Sequence, residues 1–252
     1  MKIFRELRLS ALIVVGSTAY AALAQDGTTF PPPPRDWPSP VADKQSFTML
    51  LLDRLEYRLG DGPNLSVWDA QGWAGGDMNR LWVKTEGEKE VGGRTERAEV
   101  QALYARRISP FWHLQAGVRR DARSGIYRNS AVIGVQGLAP YWFSVEAMLF
   151  GERRGVSGRL EVETDLVVAQ RLILQPRLET QFAGYTDTAR GVGRGVEHVE
   201  AGLRLRYEFR RELAPYVGVT WTRKVGQTAD LARVHGESVR ASSVVLGIRA
   251  WY

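Results

Sequence analysis

The chain of 252 residues contains no cysteine, three histidines and four methionines. Without cysteine there is no disulfide framework, no thiolate metal site and no thiol nucleophile. Past the N-terminal two dozen residues it also lacks the run of about 18 apolar residues that a spanning helix needs. The nearest stretch, Asn129 to Val145, is uncharged, but Gly137 and Pro140 divide it into two strands and a turn. A strong surplus of one charge is missing as well: Lys and Arg number 34 against 28 Asp and Glu, a formal +6. Loss of an exported chain's leader with Lys2, Arg5, Arg8 and Glu6 lowers that to +4, a surplus that does not call for a nucleic-acid partner.

What is present begins with a three-part export signal over residues 1–24. Lys2, Arg5 and Arg8 form a basic start, Leu12-Ile13-Val14-Val15 centre an apolar run too short to cross a membrane, and Ala22-Leu23-Ala24 offers a small-x-small cleavage site. Residues 25–46 hold Pro31 to Pro34, Pro38 and Pro40 and little that could form a core, so they read as an extended, semi-stiff periplasmic leader.

From Phe47 to Tyr252 the dominant signal is a period of two. In Val199, Ala201, Leu203, Leu205, Tyr207 and Phe209 every second residue is apolar, and Glu200, Gly202, Arg204, Arg206 and Glu208 lie between them. That is a strand with one greasy and one ionic face. The ionic face carries too much charge for a sandwich interior, so the greasy face is expected to meet lipid and the ionic face a wet lumen. Similar alternation over Thr95 to Arg107, Phe111 to Asp121, Tyr141 to Phe150, Gly158 to Val168 and Leu172 to Phe182 brings the expected count to about 12 strands. The predicted fold is therefore all-β, an antiparallel transmembrane barrel with an even strand number, set in outer-membrane lipid.

Connections test this independently. Gly75 to Met78, Ile108 to Pro110, Ala139-Pro140, Ala169-Gln170 and Glu212 to Pro215 are short, whereas Glu88 to Arg94, Arg120 to Ser130, Gly184 to Gly195 and Arg223 to Arg240 read as longer polar loops. Three short turns share a motif: Ser109-Pro110-Phe111-Trp112, Ala139-Pro140-Tyr141-Trp142 and Ala214-Pro215-Tyr216. Their aromatics are expected in an interfacial girdle.

Several segments carry a family resemblance. Leu50 to Glu56 (LLLDRLE), Trp68 to Trp73 (WDAQGW), Leu81 to Glu88 (LWVKTEGE), Gln115 to Arg119 (QAGVR), Gly134 to Phe143 (GVQGLAPYWF) and Arg171 to Glu179 (RLILQPRLE) resemble the copper resistance protein B family, as does the hairpin of Val196 to Trp221. The resemblance implies a bacterial outer-membrane barrel of copper resistance and homeostasis, with a copper ion as cargo. Sequestration, export through the lumen and partnership with a periplasmic multicopper oxidase all fit it. Many members carry a Met- and His-rich leader, and residues 25–46 contain neither residue.

Copper(I) takes thioether or imidazole ligands, copper(II) imidazole with oxygen. By strand parity His113, Met148 and His198 point into the lumen and are the candidate metal ligands, while Met49 is expected to point outward with Leu51. His113 lies near the short-turn rim and His198 near the long-loop rim, so convergence is not required, and polar filling of the lumen is the alternative. His235, with Asp230 and Glu237, is a second possible capture point in the last loop. A ladder of charge (Arg97, Glu99, Arg119, Glu146, Arg159, Glu161, Glu163, Arg177, Glu179, Arg204, Arg206 and Glu208) should line the lumen. Its mixed signs favour cross-strand pairing over a cation-selective ring. An enzyme acting on lipid would need Ser and His together on the lipid-facing wall, and neither strand histidine has that parity. A general porin or structural barrel remains the alternative to copper handling.

Overall fold

The computed structural model describes residues 45–252 apart from 94 and 124. The expected signal and all but the last two residues of the expected leader lie outside the described residues. The strands are β1 (Phe47–Gly60), β2 (Leu65–Gly75), β3 (Asn79–Glu90), β4 (Thr95–Ser109), β5 (Trp112–Arg123), β6 (Ile126–Ala139), β7 (Phe143–Glu152), β8 (Gly155–Glu163, resumed as Leu166–Ala169), β9 (Leu172–Ala183), β10 (Gly195–Tyr207), β11 (Leu213–Lys224) and β12 (Arg240–Trp251). The two pieces of β8 count as one strand because both pair with β9, across an interruption at Thr164 and Asp165. Among the described residues one α-helix, α1 (Gly226–Val234), lies between β11 and β12.

Every strand pairs antiparallel with its sequence neighbours, and β12 returns to β1, from Leu51 opposite Trp251 to Gly60 opposite Ser243. Twelve strands thus close a barrel with no free edge, which satisfies the backbone without water on either side. The burial pattern is that of a globular protein turned inside out. On β10, Leu203, Leu205 and Tyr207 are exposed while Arg204 and Arg206 are buried; on β4, Val100 and Tyr104 are exposed while Glu99 and Gln101 are buried. Among the described residues 42 large apolar side chains are exposed. Apolar patches on soluble monomers rarely exceed a few hundred Å², so this exterior needs lipid around it. Phe111, Tyr141, Trp142, Tyr207 and Phe209 are exposed at the short-turn rim, where amphipathic rings settle at a membrane interface.

Five expectations are corrected. Glu88 to Arg94 is a short turn, because β3 runs to Glu90 and β4 begins at Thr95. Arg120 to Ser130 is not a long loop: β5 and β6 continue in register through Arg120 opposite Asn129 to Arg123 opposite Ile126. Polar alternation past the lipid belt reads like a loop, but the ladder hydrogen bonds persist there. Only the connections 184–194 and 225–239 are long. Next, β11 begins at Leu213, so Pro215 lies within the strand opposite Ile248. Parity then turns Tyr216 into the lumen and out of the girdle. Finally, a β-bulge shifts the register of β1 between Leu52 and Arg54 against β2, and between Leu52 and Leu55 against β12. One extra residue reverses which side chains face in, so Met49 and Leu51 face the interior.

Candidate functional site: the lumen

The inward faces of the strands carry charge at every level, and the ring closure decides which charges meet. Glu56 on β1 accepts hydrogen bonds from Arg204 Nε at 2.6 Å, Arg58 Nε at 3.1 Å and the Tyr216 hydroxyl at 3.1 Å. Arg58 grips Glu200 of β10 with both terminal nitrogens, each at 3.1 Å. The planar fork matches the carboxylate, as lysine could not. Arg177 binds Glu161 through Nε at 2.7 Å and Nη2 at 2.6 Å, and Nη2 also reaches Glu179 at 2.6 Å. From β8, Arg159 donates to Glu86 at 2.6 Å and Glu99 at 2.8 Å. Arg119 meets the same Glu99 oxygen at 2.8 Å.

Some of the bonds span the barrel. Arg159 and Glu86 stand on β8 and β3, five strands apart around the ring; Lys84 of β3 reaches Glu146 of β7 at 2.6 Å. A desolvated charge is tolerated only when paired and hydrogen-bonded; Arg58, Arg119, Arg159 and Arg177 each serve two or three carboxylates, whereas Arg204 meets Glu56 alone. The result is a layer of ion pairs across the lumen rather than an open channel.

The long-loop mouth is covered as well. Residues 184–194 fold back over it: Tyr185 donates to Glu152 at 2.9 Å, Asp187 pairs with Arg154 at 3.2 Å and with Arg128, and Arg190 pairs with Asp121 of β5. Burial, reinforced by the Glu152 carboxylate, pushes the Tyr185 hydroxyl up to about 12. Helix α1 is fastened to this loop by the Gly193 amide on Thr228 Oγ1 and the Arg194 amide on Gln227 Oε1, both at 3.0 Å.

The expected ladder residues sit as follows. Arg97, Glu99, Arg119, Arg159, Glu161, Arg177, Glu179 and Arg204 belong to the cross-lumen network. Glu146 pairs with Lys84, and Arg206 pairs with Asp165 at 2.7 Å and lies 3.9 Å from Glu208. Glu163 takes a hydrogen bond from Gln175 at 3.2 Å and has no ion-pair partner among the described residues. Sequence reasoning missed Glu56, Arg58, Lys84 and Glu86, as well as the Arg54–Asp69 pair (2.6 Å) and the Asp53–Arg249 pair (2.8 Å); Glu200 was expected on the ionic face of its strand but not named in the ladder. The alternation Arg54-x-Glu56-x-Arg58 against Leu55, Tyr57 and Leu59 was the available signal for three of them.

His113, Met148 and His198 all face inward but are not brought together. His113 is one residue from the start of β5, and its Nε2 is buried without a hydrogen-bond partner. Met148 belongs to an apolar cluster with Trp82, Leu103, Ala105, Val132 and Phe150. Its sulfur lies over Gly134, where a Cβ would come within 2.2 Å of it and within 2.5 Å of the Ala147 carbonyl oxygen. His198 is at the far end of β10, opposite Gln181. His235 contacts the Leu231 carbonyl oxygen at 2.8 Å, while Asp230 is taken by Arg233 and Glu237 by Lys224, each at 2.6 Å. Among the described residues no three His, Cys, Asp or Glu side chains close on one point, so these residues do not fit a closed copper site. On the short-turn side of the ion-pair layer lies a chamber of about 240 Å³, bordered by Met49, Leu51 and Trp82 as well as by carboxylates.

Comparison with known proteins places this barrel. Among solved structures it is similar to the NanC porin, with a TM-score of 0.50 and 12% identity, covering 80% of this chain and 98% of that one; at that identity the likeness concerns the fold. Copper resistance protein B of Escherichia coli is 44% identical over 213 residues, 84% of this chain and 72% of the relative. A copper resistance protein B homolog of Pseudomonas syringae pv. tomato is 42% identical over the same shares of both chains. The family model described as copper resistance protein B precursor matches residues 46–252, and the chain belongs to the copper resistance protein B family.

Proposed function

We propose that this chain is an outer-membrane protein of copper resistance that holds or hands on copper ions at the cell envelope, and that it is not a general pore. The exposed apolar wall and the aromatic rim support the membrane setting. The observation that carries the choice between copper handling and a general porin is the cross-lumen layer centred on Arg159, Glu86 and Glu99. Water-filled porins keep a polar but continuous lumen, whereas here guanidinium groups reach carboxylates on the opposite wall. Resistance then works by binding copper and passing it to a periplasmic acceptor, a multicopper oxidase being the chemically apt one, since oxidation of copper(I) changes the ligands the ion prefers.

The test is growth of a deletion strain in elevated copper. Copper sensitivity restored by the intact gene is expected; unimpaired growth at every copper concentration would falsify the reading. In planar bilayers the purified barrel should show conductance far below that of an open barrel of equal strand number.

A further inference from the structure

The outer face of the β11–β12 hairpin changes character at one height. Towards the long-loop rim β11 turns Val217, Val219 and Trp221 outward, and then Arg223. Followed in the same direction, β12 turns out Ile248, Leu246, Val244 and Ser242, and then Arg240. Arg223 and Arg240 stand directly opposite each other in the ladder, and both are exposed. The apolar belt ends just beneath them, with Trp221 exposed at its edge. The two guanidinium groups are thus at the level of lipid headgroups, on the side where outer-membrane barrels carry their long extracellular loops.

Like charges directly opposite across a sheet repel. The nearby carboxylates are committed elsewhere, Asp230 to Arg233 and Glu237 to Lys224, each at 2.6 Å. Among the described residues neither Arg223 nor Arg240 has an ion-pair partner. The outward Arg120 of β5 is placed differently: its guanidinium carbon lies over the Tyr127 ring, 5.4 Å from the centroid.

Both unpaired arginines line a cleft of about 550 Å³ between α1 and the ends of β11 and β12, which Lys224, Arg233 and Ser238 also border. Its volume is that of a small-molecule site, about 300–1,000 Å³, and more than a bare anion needs. Guanidinium forks match the oxygens of a phosphate in pairs. A soluble phosphate would use these forks alone. A lipid bearing phosphate also uses the wall below, because its acyl chains lie along Trp221 and Val244 while its headgroup reaches the arginines. The cleft opens onto that wall through Arg223 and Arg240 themselves, and this continuity selects the lipid.

We propose that the cleft bounded by Arg223, Arg240 and α1 holds the phosphate-bearing headgroup of an outer-leaflet lipid. Since the Gly193 amide ties residues 184–194 to Thr228 of α1, the bound lipid also braces the cover of the long-loop mouth. The site rests on the outer-membrane setting given under Proposed function and not on copper.

The full chain is refolded in detergent, verified as a barrel by its heat-dependent gel migration, and studied by native mass spectrometry. Phosphatidic acid is the probe, with phosphatidylcholine of the same chains as the uncharged comparison. One phosphatidic acid is expected to stay on each barrel, held at least tenfold more tightly than phosphatidylcholine. Arg223→Gln combined with Arg240→Gln should remove that preference, and Arg120→Gln should leave it intact. Both substituted arginines are exposed and without ion pairs, so the double variant should fold. Arg240→Glu provides a second variant: its carboxylate can pair with Arg223, which should abolish binding in a folded barrel. Overturning results are a wild-type barrel with no preference for phosphatidic acid, or variants that bind as the wild type does. Displacement of the lipid by an equal concentration of inorganic phosphate would also overturn the proposal, because the site would then serve a soluble anion. A barrel without this preference that still protects a deletion strain from copper removes the lipid site and leaves the copper reading. A bound lipid in a protein whose deletion has no copper phenotype does the reverse.

Discussion

The lumen has two unlike walls. Along β1, β8, β9 and β10 it is ionic, with Glu56, Arg58, Arg177, Glu179, Glu200 and Arg204 all buried; β3 to β7 also bury Lys84, Glu99, Gln101, Arg119 and Asp121, but they add an apolar cluster of Trp82, Leu103, Ala105, Val132, Met148 and Phe150 packed together. The apolar cluster fills space by contact alone, so a change of volume there leaves a cavity but no unpaired charge. The ionic wall depends on partners that strands far away in sequence supply, and a missing partner strands a charge. Arg119 and Arg159 join the two walls: their guanidinium carbons stand 4.1 Å and 5.8 Å from the Phe150 ring centroid while both reach Glu99. The stiffness of the layer should therefore reside at this seam.

Breaking the seam should have the largest effect. Arg159→Met leaves Glu86 and Glu99 short of a donor, and removing one partner of a buried pair costs about 3–5 kcal/mol. Urea unfolding of the barrel in lipid vesicles should register that loss, and bilayer conductance should rise as the layer opens. Arg159→Lys retains the charge but not the two-pronged contact, so it should fall between the variant and the wild type. Equal stability of all three would mean that the layer contributes nothing.

A cut in the apolar wall separates packing from metal binding. Met148→Ala should cost about 2–5 kcal/mol, the range for a buried methionine truncated to alanine, because its sulfur fills the space over Gly134. Copper affinity should not change. A variant of native stability with weakened copper binding would instead return Met148 to the role its residue type suggested.

The strand count and the inside-out alternation were legible because period two survives in nearly every segment. Residues such as Val199 to Tyr207 state both faces of their strand at once. Parity even placed His113, Met148 and His198 correctly on the inner face. What sequence could not supply is whatever depends on the ring. The bulge near Leu52 is invisible in a run of leucines, and it alone reverses Met49. The turn before β11 looked like Glu212 to Pro215 because proline usually punctuates; here the antiparallel ladder runs through it, and Tyr216 was carried inward to Glu56. Arg58, Arg159 and Arg204 find carboxylates three to five strands away, set by closure and stagger rather than by spacing along the chain. The chamber, assembled from several strands, has no sequence signature at all.

The outer loops offer the mildest contrast with the buried layer. Lys224 and Glu237 pair at 2.6 Å, the first half-buried and the second exposed. Exposed pairs contribute about 0.2–1 kcal/mol and are screened by salt, against several for Arg159. The hydrogen bond from Lys224 holds the Glu237 carboxyl below its ordinary value of 4.5. A depressed folded value means the pair stabilises the loop above that ordinary value and loses its contribution as pH falls through the depressed one. Lys224→Gln should consequently leave global unfolding unchanged within error. Hydrogen exchange at the amides around β11 and β12 should quicken slightly at neutral pH and low salt, and the difference should vanish in strong acid or high salt. A Lys224→Gln effect as large as that of Arg159→Met would mean that the loops, and not the seam, hold the barrel shut.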